Sequence, residues 1–323
     1  LRASNLNVEV FVGVEPNPTD KNVEDGTERL KQLEGACVVP IGGGSSMDCG
    51  KSIALLAANG GSVESLQSSE PKNAEAPVIA VPTTAGTGSE TNSACVITNT
   101  RLGRKTYVMH PSITPAFAVL DPDLTIGLPT YPTATCGFDV LTHAVEALVS
   151  VRAGAYSDAI ALEAIGKVAT HLRAVVKDGE DIEARSQMLL ASAMAAMAFN
   201  VAGLGSVHGT GHAISARLNA AHGQTLATML PHVMNFNMGQ REEKYTEVAK
   251  ILEPGGQVSG AGAIDAVLKL REDIGIDRSI TDLGASDETL DLLVADALAD
   301  PVNFSNPRPV DEDSVRALYQ AAW

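Results

Sequence analysis

Hydrophobic positions in the first part of the chain fall in short runs separated by turn residues, a pattern of alternating strands and helices. Val8–Val12 reads as a strand, and Pro16-Asn17-Pro18 forces an extended turn after it. Thr19 or Asp20 caps a helix running to about Leu33. The apolar run Ala36–Ile41 enters Gly42-Gly43-Gly44-Ser45, and a helix is expected from about Asp48 to Asn59. Pro77–Pro82 is a buried strand feeding a loop rich in Thr, Gly and Ser. Cys95–Thr98 and Thr106–His110 flank a turn at Asn99–Gly103 and read as a hairpin. Pro115–Leu120 gives a last strand, ending at Asp121-Pro122. Such alternation predicts a mainly parallel sheet with helices on both faces.

From about Gly127 the texture changes, and helical, Ala/Leu-rich segments follow one another to Trp323. The expected helices include Pro132–Val149, Tyr156–Lys177, Asp181–Phe199, Ser206–Ala216, Lys244–Leu252, Ala261–Ile274 and Asp287–Ala299. The predicted organisation is an α/β domain over residues 1–126 and an all-helical domain over 127–323. No internal repeat or low-complexity tract stands out.

Composition narrows the class. A chain of 323 residues that is 45% hydrophobic can bury a large core. No run reaches the roughly eighteen apolar residues a membrane span needs. The net charge of −16, from 39 acidic and 23 basic residues, argues against nucleic acid, whose phosphates demand a positive face. The same acidity with 4% aromatic residues would also suit a high-salt organism. Cys37, Cys49, Cys95 and Cys136 are scattered without a CxxC pair and fit reduced thiols in a cytoplasmic protein.

The chemistry concentrates in the second half. Asp139 and His143 are i and i+4 among good helix formers, so both leave one helical face. His208 and His212 repeat that spacing, and His222 follows. Five of the seven histidines lie in or beside these segments, among small apolar residues that imply burial, and buried ionisable groups need partners. A carboxylate with neutral imidazoles suits a borderline divalent ion such as Fe²⁺, Zn²⁺ or Mn²⁺ acting as a Lewis acid. On spacing alone, His208 and His212 are equally placed as ligands.

The glycine run has its own reading. Glycines let the backbone approach a pyrophosphate, and the helix that follows offers free N–H groups and a positive dipole end. Two named phosphate motifs are near misses. Gly-x-Gly-x-x-Gly counted from Gly42 meets Met47 where its last glycine belongs, and counted from Gly43 it meets Ser45 where its second belongs. The NTPase phosphate loop would need a glycine at Ser45, ahead of Gly50-Lys51-Ser52.

Taken together, these residues resemble the iron-dependent (group III) alcohol dehydrogenases. The resemblance runs in order through Val14-Glu15-Pro16-Asn17-Pro18-Thr19, Gly42-Gly43-Gly44-Ser45-Ser46-Met47-Asp48 and Pro82-Thr83-Thr84-Ala85-Gly86-Thr87-Gly88-Ser89-Glu90. It continues through Gly137-Phe138-Asp139-Val140-Leu141-Thr142-His143-Ala144-Val145-Glu146-Ala147 and Leu230-Pro231-His232-Val233-Met234. It covers nearly the whole chain, with two departures. Family members usually open with one more strand–helix unit, which is expected to precede Leu1, and they commonly carry Pro where Ala221 stands.

The resemblance implies a dehydroquinate synthase-like architecture: a dinucleotide-binding α/β domain followed by a helical metal-binding domain. It implies a metal held by Asp139, His143, His208 and His222, most readily Fe²⁺. It assigns Gly43, Gly44 and Ser45 to the pyrophosphate of NAD or NADP, Asp48 to the nicotinamide side, Thr83 and Thr84 to the opposite wall, and Lys105 to a ribose. His212, one turn after His208, is then the residue for proton transfer or substrate positioning. The expected activity is hydride transfer between a primary alcohol or diol and NAD(P), in a homo-oligomer with no membrane or nucleic-acid partner. Three alternatives stand beside it: an NAD-using lyase of the dehydroquinate synthase type, a glycerol dehydrogenase, whose loop usually carries Lys in place of Ser45, and an inactive binding fragment.

Overall fold

The computed structural model describes residues 3, 5–68, 70–101 and 104–323. Backbone proximity divides the chain into two compact units, Leu1–Val81 with Ser93–Val119, and Pro82–Asn92 with Leu120–Trp323.

The first unit is α/β. Helix α1 (Asp20–Leu30) starts in a capping box, in which Thr19 accepts from the Asn22 N–H and Asn22 accepts from the Thr19 N–H. Strand β1 (Ile41–Gly42) leads into α2 (Gly44–Asn59), and a single turn, α3 (Ser65–Ser68), precedes β2 (Ile79–Pro82). A hairpin follows, β3 (Ala94–Asn99) against β4 (Arg104–Met109), and then β5 (Phe117–Ala118). The sheet order is β1-β2-β5, with β2 and β5 parallel and Ile79 opposite Phe117. The hairpin is antiparallel, pairing Ala94 with Met109 and Asn99 with Arg104; Leu102 and Gly103 of its expected turn lie outside the described residues. Val23, Cys49, Leu55, Cys95 and Ile97 form this unit's core.

Two sequence expectations need correcting here. Val8–Val12 belongs to no strand: Val10 is 56% and Val12 88% exposed, so alternation did not translate into a buried face, although Phe11 packs on the core. Helix α2 begins at Gly44 rather than Asp48, so the glycine run itself forms the helix start.

The second unit is helical: α4 (Thr130–Val149), α5 (Ala155–Lys177), α6 (Ile182–Ala202), α7 (Ser206–Leu218), α8 (His222–Leu252), α9 (Gly260–Asp273), α10 (Asp287–Ala299) and α11 (Glu312–Ala321). Helix α4 is its axis, packed by α5, α6 and α8 and buried at every position from Gly137 to Val149. That explains why its sequence lacks a polar face. Lys244–Leu252 is helical as expected, and α8 joins it across a kink to a first segment, starting at His222, that lies beyond the expected helices. Pro231 and Gly239 lower its intrinsic propensity, but burial of Leu226, Leu230 and Val233 outweighs them, and the helix breaks instead at Arg241 (φ −143°, ψ 28°). Among the described residues, no single helix is long and apolar enough to cross a membrane.

Candidate metal centre

Helix α4 presents Asp139, His143 and Glu146 on one stripe, and all three are buried. Helix α7 brings His208 and His212, and His222 opens α8. The three imidazole Nε2 atoms of His143, His208 and His222 lie 3.3, 3.7 and 3.9 Å from one atom, Asp139 Oδ1. Donors bound to one tetrahedral ion at about 2.1 Å sit roughly 3.4 Å apart, so these spacings fit a shared ion. Asp139, His208 and His222 offer ligand atoms all within 4.8 Å of one another; His143 is close to the carboxylate but outside that tightest triplet. Asp139 Oδ1 and His208 Nε2 are buried and have no hydrogen-bond partner. Orphaned polar atoms of this kind are expensive unless a cation takes them up, so the residues fit the metal.

Local structure places each donor. Asn219 ends α7 in the left-handed region (φ 52°), turning the chain so that α8 starts three residues on. Ala221 holds φ −59°, the angle proline would impose, so replacing the usual Pro leaves the backbone path open. Next to His222, a side chain at Gly223 would meet the Thr135 carbonyl oxygen at 2.2 Å, which is why α8 can seat its first turn against α4.

The electrostatics follow from this crowding. Burial would raise the Asp139 carboxyl, but His143 and the other imidazoles hold it well below the usual carboxylate range. Burial pushes His143 down to about 4 despite Asp139. His208 goes the other way: burial opposes its charge, but Glu146 beside it raises it to about 9.

Two carboxylates that the sequence reading gave no role complete the cluster. Glu146 Oε2 accepts from His208 Nδ1 at 2.5 Å, and its Oε1 accepts from the Val207 N–H at 2.7 Å. Asp300, after α10, lies 2.8 Å from His212 Nδ1. Glu146 had a signal in the sequence, three residues past His143 on the same helix; Asp300 had none beyond being acidic.

With this geometry in hand, comparison with known proteins is decisive. Residues 1–122 match the iron-containing alcohol dehydrogenase model, and residues 133–323 match the C-terminal model of the Fe-containing alcohol dehydrogenase family. The chain belongs to the iron-containing alcohol dehydrogenase family. It is 38% identical to the 1,3-propanediol dehydrogenase of Klebsiella pneumoniae over 331 residues, covering all of this chain and 85% of that one. The NAD-dependent methanol dehydrogenase of Bacillus methanolicus is 38% identical over 330 residues, with coverage of 100% and 86%. Among solved structures, the alcohol dehydrogenase from Oenococcus oeni superposes with a TM-score of 0.95 at 34% identity, covering 100% of this chain and 86% of that one. Membership carries metal-dependent alcohol dehydrogenase activity, an oxidoreductase chemistry at CH–OH, and sets aside the lyase reading.

For this dehydrogenase, the residues expected to hold the nucleotide fall in both units. Gly43 caps α2 without any side-chain bond, and Gly44 and Ser45 are its first helical residues. Just before them Gly42 has φ 148°, and a side chain there would meet Ser46 Oγ at 2.4 Å. Asp48 Oδ2 accepts from the Val96 N–H at 2.9 Å, and Lys105 donates to Asn17 at 2.8 Å and Thr98 at 3.1 Å. Thr83 and Thr84 are half-buried in the second unit, in the loop that Gly88 closes in the left-handed region (φ 59°).

Proposed function

We propose that Asp139, His143, His208 and His222 together hold one divalent cation, Fe²⁺ before Zn²⁺ or Mn²⁺, and that the enzyme interconverts a primary alcohol or diol with its aldehyde using NAD or NADP. The observation that carries this is the convergence of three Nε2 atoms on one buried, unpartnered carboxylate oxygen. When bound, the ion supplies Lewis acidity to the substrate oxygen and the nicotinamide supplies the hydride acceptor.

The protein's own residues do the rest. Gly43, Gly44 and Ser45 anchor the pyrophosphate at the α2 N-terminus, with Asp48 and Lys105 nearby on the same unit and Thr83 and Thr84 in the loop of the other. His212 takes up and returns the hydroxyl proton. What supports this is that its ring stacks on that of His222, a proposed ligand (centroids 5.3 Å, 18°), and that Asp300 lies 2.8 Å from its Nδ1. The net charge of −16 speaks against nucleic acid, and four unbridged cysteines suit the cytoplasm. A homo-oligomer is part of the same reading.

The test is alcohol-dependent reduction of NAD⁺ and NADP⁺ by protein stripped of metal and reloaded anaerobically with Fe²⁺, Mn²⁺ or Zn²⁺, with His208→Ala alongside. Metal-dependent turnover that disappears in the variant is expected. Turnover unaffected by stripping would overturn the reading.

A further inference from the structure

Helix α7 begins without a cap of its own. Gly205 stands at the N-cap and offers no side chain, so the first N–H groups must be satisfied from elsewhere in the fold. Asn306 Oδ1 accepts from the Ser206 N–H at 3.2 Å, and Glu146 Oε1, from α4, accepts from Val207 at 2.7 Å. A carboxylate at a helix start is favoured by the helix dipole as well. A side chain at position 205 would stand 3.1 Å from Glu146 Oε1, so Gly205 makes room for it.

The other oxygen of Glu146 is used differently. Oε2 meets His208 Nδ1 at 2.5 Å, with both side chains at most 4% exposed. Because an ionised carboxylate only accepts, this contact fixes the proton on Nδ1. The opposite ring nitrogen, Nε2, is then the one left for an ion, which displaces any proton on it when it binds, and it is this buried, unpartnered atom that faces Asp139 Oδ1.

We infer that Glu146 is the positioning residue of the metal centre: one oxygen seats the start of α7, and the other holds His208 with its proton on Nδ1 and Nε2 free for the ion. The inference rests on the reading of His208 as a ligand. Carboxylate partners of ligating histidines change metal affinity by about 10–100-fold when removed. Glutamine separates the two functions, because it keeps the size and one acceptor oxygen. With that oxygen on Val207 N–H, its NH₂ faces His208 Nδ1 as a donor, which moves the ring proton to Nε2 and turns the ligand atom into a donor.

The experiment compares Zn²⁺ affinity, by competition with a chromophoric chelator, in the full-length wild type, Glu146→Gln and His208→Ala, alongside thermal melts of the metal-free proteins. Glu146→Gln is expected to bind Zn²⁺ about 10–100-fold more weakly than wild type, while its metal-free melt stays close to wild type. Zn²⁺ bound within about threefold of wild type, or lost only in step with a collapsed melt, would overturn the inference. Wild type failing to bind, or His208→Ala binding equally well, would instead overturn the ligand assignment beneath it. A second readout needs no variant: in Zn²⁺-loaded wild type labelled with ¹⁵N-histidine, His208 must show a protected Nδ1–H and no Nε2–H. A protonated Nε2 there contradicts the inference outright.

Discussion

His212 Nδ1 and Asp300 Oδ2 lie 2.8 Å apart, joining α7 to the turn after α10. Asp300 also caps that turn, accepting from the Val302 N–H at 3.0 Å through its other oxygen. Asn is as good a helix cap as Asp, so Asp300→Asn keeps the turn but sets an NH₂ donor against His212 Nδ1, which moves the ring proton to Nε2. If His212 moves the substrate proton, His212→Gln should lower kcat by about 10²-fold or more, and Asp300→Asn should also lower it, by leaving His212 in the wrong tautomer. Metal content should stay at wild-type level in both. Steady-state kinetics beside elemental analysis checks this, and loss of metal from His212→Gln would make it a ligand instead.

Gly223 predicts a coupled loss. An alanine there places Cβ 2.2 Å from the Thr135 carbonyl oxygen and 3.2 Å from the Thr135 Cβ, so one of the two helices must move. Overpacking of this kind costs about 1–3 kcal/mol. The displaced residue is the neighbour of His222, so Gly223→Ala should weaken metal binding as well as stability. Urea melts and chelator competition on the same samples measure both; a stability loss with unchanged affinity would show that α8 yields away from the site.

Much of this centre is legible in the sequence, because helical periodicity is local: Asp139 and His143 share a face by spacing alone. What spacing could not supply was the partner across the fold. Glu146 is visibly on the same helix as the proposed ligands Asp139 and His143, but its hydrogen bonds go to Val207 and His208, far along the chain. Asp300 reaches His212 from a turn with no pattern of its own. The same limit explains Val8–Val12, where alternation specifies a pleat but not a partner, and the helical stretch from His222 to the Arg241 kink, where tertiary burial overrides Pro231.

The four cysteines should separate by reactivity. Cys37 is exposed, whereas Cys49 and Cys95 are fully buried, and burial pushes both thiols up to about 12. Cys136 is pushed up likewise, by burial and then Asp139, yet its surface is partly open. At pH 8 an aromatic disulfide reagent should label Cys37 first, Cys136 slowly, and Cys49 and Cys95 only after unfolding. Linkage runs in one direction. A thiol held protonated in the fold but free to ionise near 9.0 when unfolded contributes stability below that pH, and this is lost progressively as pH rises from 9.0 towards about 12. Denaturation midpoints that fall above pH 9 in wild type and less steeply in Cys49→Ala would bear this out.

Metal removal should be visible as lost stability, because Asp139, His143, His208 and His222 come from three helices that the ion would tie together. A ligand that binds only the folded state at about 100 times its Kd adds roughly 2.7 kcal/mol. At about 2.1 cal/mol/K of unfolding entropy per residue, each kcal/mol moves the Tm of a chain of this size by about 1.5 °C, so reloading Fe²⁺ or Zn²⁺ should raise Tm by about 4 °C. The shift should grow with metal concentration and vanish in His208→Ala. Without the ion, the wild type still holds its negative Asp139 among imidazoles, so it should stay folded and reload reversibly. An equal Tm gain in His208→Ala would place the stabilising ion elsewhere on this acidic protein.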